Sequence, residues 1–254
     1  HHGIAVDRAV RERRHVFGGH HRFGEHETRC SASRHPHRRA HTAALEHVLS
    51  GLVDANHGRH GTVAAMAMYE PIPNALEATG HTVRWTTWNH EHLDTTTIRW
   101  ENEGFTVSGV VSSERIEYVL RLSATWQVRQ FILFRDLDEP DLWLATDGSG
   151  RWGEMNGAHR TELDGCYDIH LACAPFTHSL PVRRLPLLVG HTAELPVVQV
   201  NPDTLEVTAV NHRYTRVSDH GWEHTVDGGD HTAEFTVDQY GLVVDYAGGF
   251  RRVS

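Results

Sequence analysis

The chain has 254 residues, 39% hydrophobic and 22% charged, with a formal net charge of −9. That length suits one large domain or two small ones, the composition is neither that of a membrane-embedded nor of a wholly disordered chain, and the acidic balance argues against nucleic acid as a partner. No apolar run approaches the roughly 20 residues of a membrane-spanning helix, so no integral membrane segment is expected.

Charge and aromatic residues divide the chain. There is no Lys; of the 24 Arg, 10 lie in residues 1–60 with 12 of the 23 His, against 6 of the 33 acids. All 7 Trp lie at or beyond Trp85, whereas the first 60 residues hold only Phe17 and Phe23 to build a core. Residues 1–75 therefore read as a His/Arg-rich arm, mostly disordered, ahead of a domain at 80–254. Within the arm, Leu45, Val48, Leu49, Leu52 and Val53 fall at helical spacing and predict a short amphipathic helix over 42–55. His clusters such as His20, His21 and His26 have no fixed frame to hold a metal, and none is expected. Cys30, Cys166 and Cys173 form no C-x-x-C pair and no secretory apolar region opens the chain, which points to a cytoplasmic protein without disulfides.

From residue 80 onward the chain alternates like strand after strand. Ile98 and Trp100 precede a Glu-Asn-Glu-Gly turn at 101–104, after which Phe105, Val107, Gly109 and Val111 alternate with polar residues. Arg115–Ser123 is the clearest strand, with Ile116, Tyr118, Leu120 and Leu122 on one face; Trp126, Val128, Ile132 and Phe134 then share a face. The second half repeats the style at Leu205–Ala209, Thr232–Val237 and Leu242–Tyr246, punctuated by Asn-Pro-Asp at 201–203 and Asp-Gly-Gly-Asp at 227–230. The expected fold is all-β: one large antiparallel curved sheet that curls or rolls. Such a sheet either packs its concave face with side chains or keeps an apolar groove, for which an acyl chain is a natural occupant.

One stretch carries a family signature. Leu163 to Gly190 reads LDGCYDIHLACAPFTHSLPVRRLPLLVG, followed by AELPVVQVNPDTLEV, HRYTRV and GLVVDYAGGFRRV. In order and wording this resembles a bacterial glycolipid-binding family, formerly a domain of unknown function, over roughly residues 81–254. The resemblance implies a spiral β-roll similar to the half-barrels of bacterial lipoprotein carriers, with no reaction attached. Members usually carry an amide where this chain has His178.

The residues most suited to a ligand follow from these two readings. Pro175, Pro181 and Pro186 mark a crossover, with Phe176, Thr177 and His178 at the mouth of the groove or within a rigid connector. Arg183 and Arg184 suit a phosphate or sugar, although on a strand only one of them would face inward. Trp85 and Trp100 share parity with Val83 and Ile98 and are expected inside, while Trp88 falls on the other face. Tyr214 lies in the HRYTRV segment. The expected function is non-enzymatic binding of a lipid or glycolipid by Trp85, Trp100, Phe176, Thr177, His178, Arg183, Arg184 and Tyr214, with no catalytic residue, metal or cofactor. Two alternatives are a hydrolase or metalloprotein using His90 and His92 or His178, and a protein-interaction module with an acidic face.

Overall fold

The structure, a computed structural model, describes residues 68–254 apart from 113–114, 136–138 and 230. The helix expected over 42–55 lies outside the described residues. The first seven strands are β1 His81–Thr87, β2 Leu93–Glu101, β3 Gly104–Val111, β4 Ile116–Ser123, β5 Val128–Phe134, β6 Leu142–Thr146 and β7 Trp152–Glu154. The second seven are β8 Asp168–Leu171, β9 Thr192–Val200, β10 Val207–Arg216, β11 Gly221–Val226, β12 Thr232–Val237, β13 Val243–Tyr246 and β14 Phe250–Arg252.

All fourteen belong to one sheet, in the order β7-β6-β5-β4-β3-β2-β1-β14-β13-β12-β11-β10-β9-β8. Strands β1–β7 form one meander and β9–β14 another, and the first and last strands of the domain join them antiparallel, through Trp85–Arg252, Thr86–Arg251 and Thr87–Phe250. Strand β8 pairs β9 in parallel. A parallel pair needs a crossover, and the proline-punctuated stretch supplies it. It is helical rather than extended: a 3₁₀ turn at Pro175–His178 runs into a short helix α1, Ser179–Arg184. Pro175 opens the turn and Pro181 lies in the first turn of α1, where a missing N–H costs no helical bond.

The expected all-β class and single curved sheet are what the structure contains. In β4, Ile116, Tyr118, Leu120 and Leu122 are all buried, as their alternation predicts. The expected face of β5 is corrected. Its register against β4 slips so that Leu122 faces Val128 while Leu120 faces Phe131, which leaves an extra residue in β5. That bulge turns Phe131 and Leu133 inward beside Val128 and moves Ile132 and Phe134 to the opposite side.

A sheet of this width cannot remain flat. Its winding is visible at β8: although last in the strand order, β8 is buried on both faces, with Asp168 0% exposed on one and Ile169 and Leu171 at 1% and 0% on the other. The core also extends upstream of the first strand, where Tyr69, Ile72 and Ala75 are buried in it and the Ala75 carbonyl accepts from the Trp100 amide at 2.7 Å. Among the described residues no helix is long and apolar enough to cross a membrane.

Candidate ligand site

The crossover does not rim an open groove; it fills the interior. Phe176, Thr177, His178, Ser179, Leu180 and Val182 are all buried. Side chains fix it in place: the Ser179 hydroxyl accepts from the Val243 amide at 3.2 Å, and the Thr177 hydroxyl donates to the Ala174 carbonyl at 2.8 Å. Arg184 is not on a strand but on α1, from which Nε and Nη2 reach the buried Asp168 carboxylate at 3.1 and 2.5 Å. Arg183, one residue earlier, lays its guanidinium over Trp126 at 4.1 Å and donates to the Tyr240 carbonyl. The expectation that strand geometry would set these two apart is thus replaced by helical geometry.

Two expected ligand residues meet in the second half of the sheet. His178 Nδ1 and the Tyr214 hydroxyl lie 3.2 Å apart. Around them stand three further histidines: His170 on β8, His212 on β10 and His224 on β11. Adjacent ring centroids are 4.8 Å (His170–His178), 5.2 Å (His170–His212), 4.9 Å (His178–His224) and 4.9 Å (His212–His224). His224 Nε2 and His212 Nδ1 are 2.9 Å apart, and His224 Nδ1 is 3.0 Å from the Tyr246 hydroxyl. His212 Nε2 is buried without a partner. Burial favours the neutral ring, and each additional positive ring opposes the next. His170 and His224 are pushed down to about 3, His212 to about 4, and His178 well below the usual imidazole range.

Sequence reasoning singled out His178 and Tyr214 here and passed over His212 and His224. The one available signal was shared parity: His212 and Tyr214 lie two apart on β10, and Tyr214 faces His224 across the ladder. Among the described residues no three His, Cys, Asp or Glu side chains converge to hold a metal. His90 and His92 are not on one extended face either. His90 sits in a turn at φ 60° with its ring on Arg251, while His92 pairs back to Thr87.

A cleft does open at one end of the strands, with a volume of about 330 Å³. Val111, Ala172, Cys173, Val200 and Phe250 give it apolar walls; Thr87, His92, Gln199, Asn201 and Asp203 give it polar ones. The Asn-Pro-Asp turn forms part of the rim because the Asn201 side-chain oxygen accepts from the amides of Asp203 and Thr204, at 2.9 and 3.1 Å. Two register positions inward from Thr87 and His92, on the same face, come Trp85 and Asp94, paired across β1 and β2. Trp85 is fully buried and donates to the Val243 carbonyl at 2.8 Å. Asp94 is 2% exposed and accepts from the Thr96 and Tyr118 hydroxyls at 3.1 and 3.3 Å. Burial raises its carboxyl to about 7 against the lowering effect of those two bonds.

The remaining expected residue, Trp100, is corrected. It is 36% exposed because it stands at the last position before the 101–104 turn, at the other end of the strands from the cleft. From there an aromatic chain leads inward, Trp100 to Phe105 at 4.9 Å, Phe105 to Trp126 at 5.1 Å and Trp126 to Phe176 at 6.0 Å.

The wound sheet, its parallel inner edge and the helical crossover seated inside it define a class: a single-sheet spiral β-roll closed by its own connector. Residues 82–252 match the family described as "Putative glycolipid-binding", and the chain belongs to that family. It is also similar to the solved structure of a DUF1089 family protein from Pseudomonas aeruginosa, at 30% identity and a TM-score of 0.55, over 63% of this chain and 92% of that one. Among curated proteins nothing matches.

Proposed function

We propose that the protein binds a small amphipathic molecule, a lipid or glycolipid, in the cleft between the ends of β1–β3 and the β8–β9 crossover, without transforming it. The observation that carries this reading is the mixed lining of the cleft. Apolar Val111, Val200 and Phe250 line it together with polar Thr87, Gln199 and Asn201. The volume of about 330 Å³ lies at the small end of the roughly 300–1,000 Å³ typical of small-molecule sites. Each buried methylene contributes about 0.8 kcal/mol, so six of them supply about 5 kcal/mol before ordering costs are subtracted. Hydroxyls of a head group match the donors and acceptors of Thr87, Gln199 and Asn201. The family description supports binding rather than chemistry.

Of the residues expected at the ligand, Trp85 lies two residues inward from the cleft-lining Thr87 on β1, and Phe176, Thr177 and His178 follow its Ala172–Cys173 wall in the chain. They touch a ligand that reaches past the cleft floor. Octyl β-glucoside and octanoate, each below its micelle concentration, test the reading by native mass spectrometry. A saturable one-to-one complex is expected, weakened at least about tenfold by Ala172→Trp, which fills the cleft from an exposed position without disturbing the core. Failure of both probes to saturate, or equal binding by the variant, overturns it.

A further inference from the structure

The interior of the roll is shut by a segment that carries an ionisable group into a nest of others. From the 3₁₀ turn, His178 stacks on Tyr246 at 4.6 Å and lies within 4.9 Å of the rings of both His170 and His224. The titratable groups facing it are His170 on β8, His212 and Tyr214 on β10, His224 on β11 and Tyr246 on β13, while Asp168 on β8 bears on His212 and Tyr214. Strand β12 contributes only Phe235, at 5.8 Å. Asp168 is already neutralised by Arg184. On the other flank, Arg183 lies over Trp126 and near Tyr69 and Asp238.

The nest therefore has neutral partners and no spare anion. The His212–His224 contact at 2.9 Å requires one nitrogen to be bare, so it is lost when both rings carry two protons. Adding charge to any second ring sets like charges about 5 Å apart in a dry interior, where they repel far more than in water. His212 and His224 stand on strands laddered on both sides, and His170 on a strand laddered to β9. His178 is on the connector, which no ladder holds. It is the member of the nest that can leave.

We propose that acidification expels the connector Pro175–Arg184 from the roll, opening the interior beneath the cleft to the apolar part of the ligand. The role given to the opening rests on the ligand-binding reading above; the opening itself does not. In the closed form the rings remain neutral, and once exposed each returns to the usual value near 6.5. The open form accordingly takes up protons that the closed form refuses, and it gains as pH falls below that value. Because several rings respond together, the transition is steep.

Hydrogen exchange of the full chain, corrected for the intrinsic pH dependence of exchange and followed from about pH 7.5 to about pH 4.5, tests this beside far-ultraviolet circular dichroism. Protection of residues 175–184 is expected to fall at least about tenfold while the strands keep theirs, with the midpoint lowered by about one pH unit or more in His178→Asn. His224→Gln leaves the connector sequence intact and is expected to lower the midpoint as well, which keeps the test open if the first variant folds poorly. The inference is overturned if the connector keeps its protection to about pH 4.5, loses it only together with β10 and β11, or opens at the wild-type pH in both variants. Uptake of octyl β-glucoside is read separately. Opening without any strengthening of uptake keeps the switch and removes the role given to it, whereas no saturable uptake at any pH removes the ligand reading and leaves the switch to the exchange result.

Discussion

Arg184 closes the second half of the roll onto its connector: its guanidinium meets both oxygens of Asp168, a carboxylate with no exposure at all, from a side chain that is itself 14% exposed. The two partners are not equivalent. Removing Arg184 strands a carboxylate that cannot reach water, whereas removing Asp168 leaves a guanidinium that can shift outward. Arg184→Met is therefore expected to destabilise the domain by about 3–5 kcal/mol, and Asp168→Asn by about 1–3 kcal/mol. Urea denaturation at neutral pH measures both. Equal losses would show that the pair is not as asymmetric as its burial implies.

The four histidines set the acid side of the stability profile. Their folded values lie below 6.5, at about 3 for His170 and His224 and about 4 for His212, so in the window between them the unfolded chain binds more protons than the folded one. Stability is fully present above about pH 6.5 and declines as pH falls through that window. Charging several of these buried rings side by side competes with the whole marginal stability of a domain. The roll is thus expected to rearrange or unfold before its imidazoles reach their buried values. Urea midpoints at about pH 8 and pH 5.5 check this, with a drop expected in the wild type and a smaller one in His224→Gln. A flat profile would contradict the burial of the nest.

Asp94 works in the opposite direction. Its folded value of about 7 lies above the ordinary 3.8, so its favourable contribution is present below 3.8 and is lost as pH rises through 7. Asp94→Asn keeps a group able to bond Thr96 and Tyr118 but cannot ionise. It is expected to stabilise the domain by about 2–4 kcal/mol at pH 8 and to change little near pH 4. Thermal denaturation at the two pH values decides it; a stabilisation of the same size at both would assign the effect to packing instead.

Gly109 is required by its neighbour across the ladder. A Cβ there would lie 2.0 Å from the Tyr118 ring, and that ring cannot swing aside freely because its hydroxyl is tied to Thr96 at 2.7 Å. Gly109→Ala is expected to cost about 3 kcal/mol or more, above the usual overpacking penalty, because it also breaks the hydroxyl network around Asp94. Replacing Tyr118 by Leu in the same chain should recover part of that loss. Denaturant midpoints of the single and double variants measure the recovery, and strict additivity would rule out the contact as the cause.

Where the sequence reading succeeded and where it stopped can be traced to single residues. Ile116, Tyr118, Leu120 and Leu122 announce their strand because burying one face of a pleated chain imposes a period of two, which local order preserves. Phe131 and Leu133 escaped because a bulge shifts parity by one residue without leaving a mark in the hydrophobic pattern. The prolines at 175 and 181 excluded a central strand correctly, yet a short buried helix has too few turns to show a helical period. Arg183 and Arg184 were consequently referred to the wrong geometry.

Composition and alternation alone thus settled that this chain builds one large all-β sheet, since they record burial residue by residue along the backbone. The meeting of His178 with His224, 46 positions away, of Arg184 with Asp168, and of Val111 with Phe250 around the cleft came only with the winding of that sheet. Which distant strands come to face one another depends on accumulated twist and on which edge is drawn inside. Neither is written in any local spacing of residues.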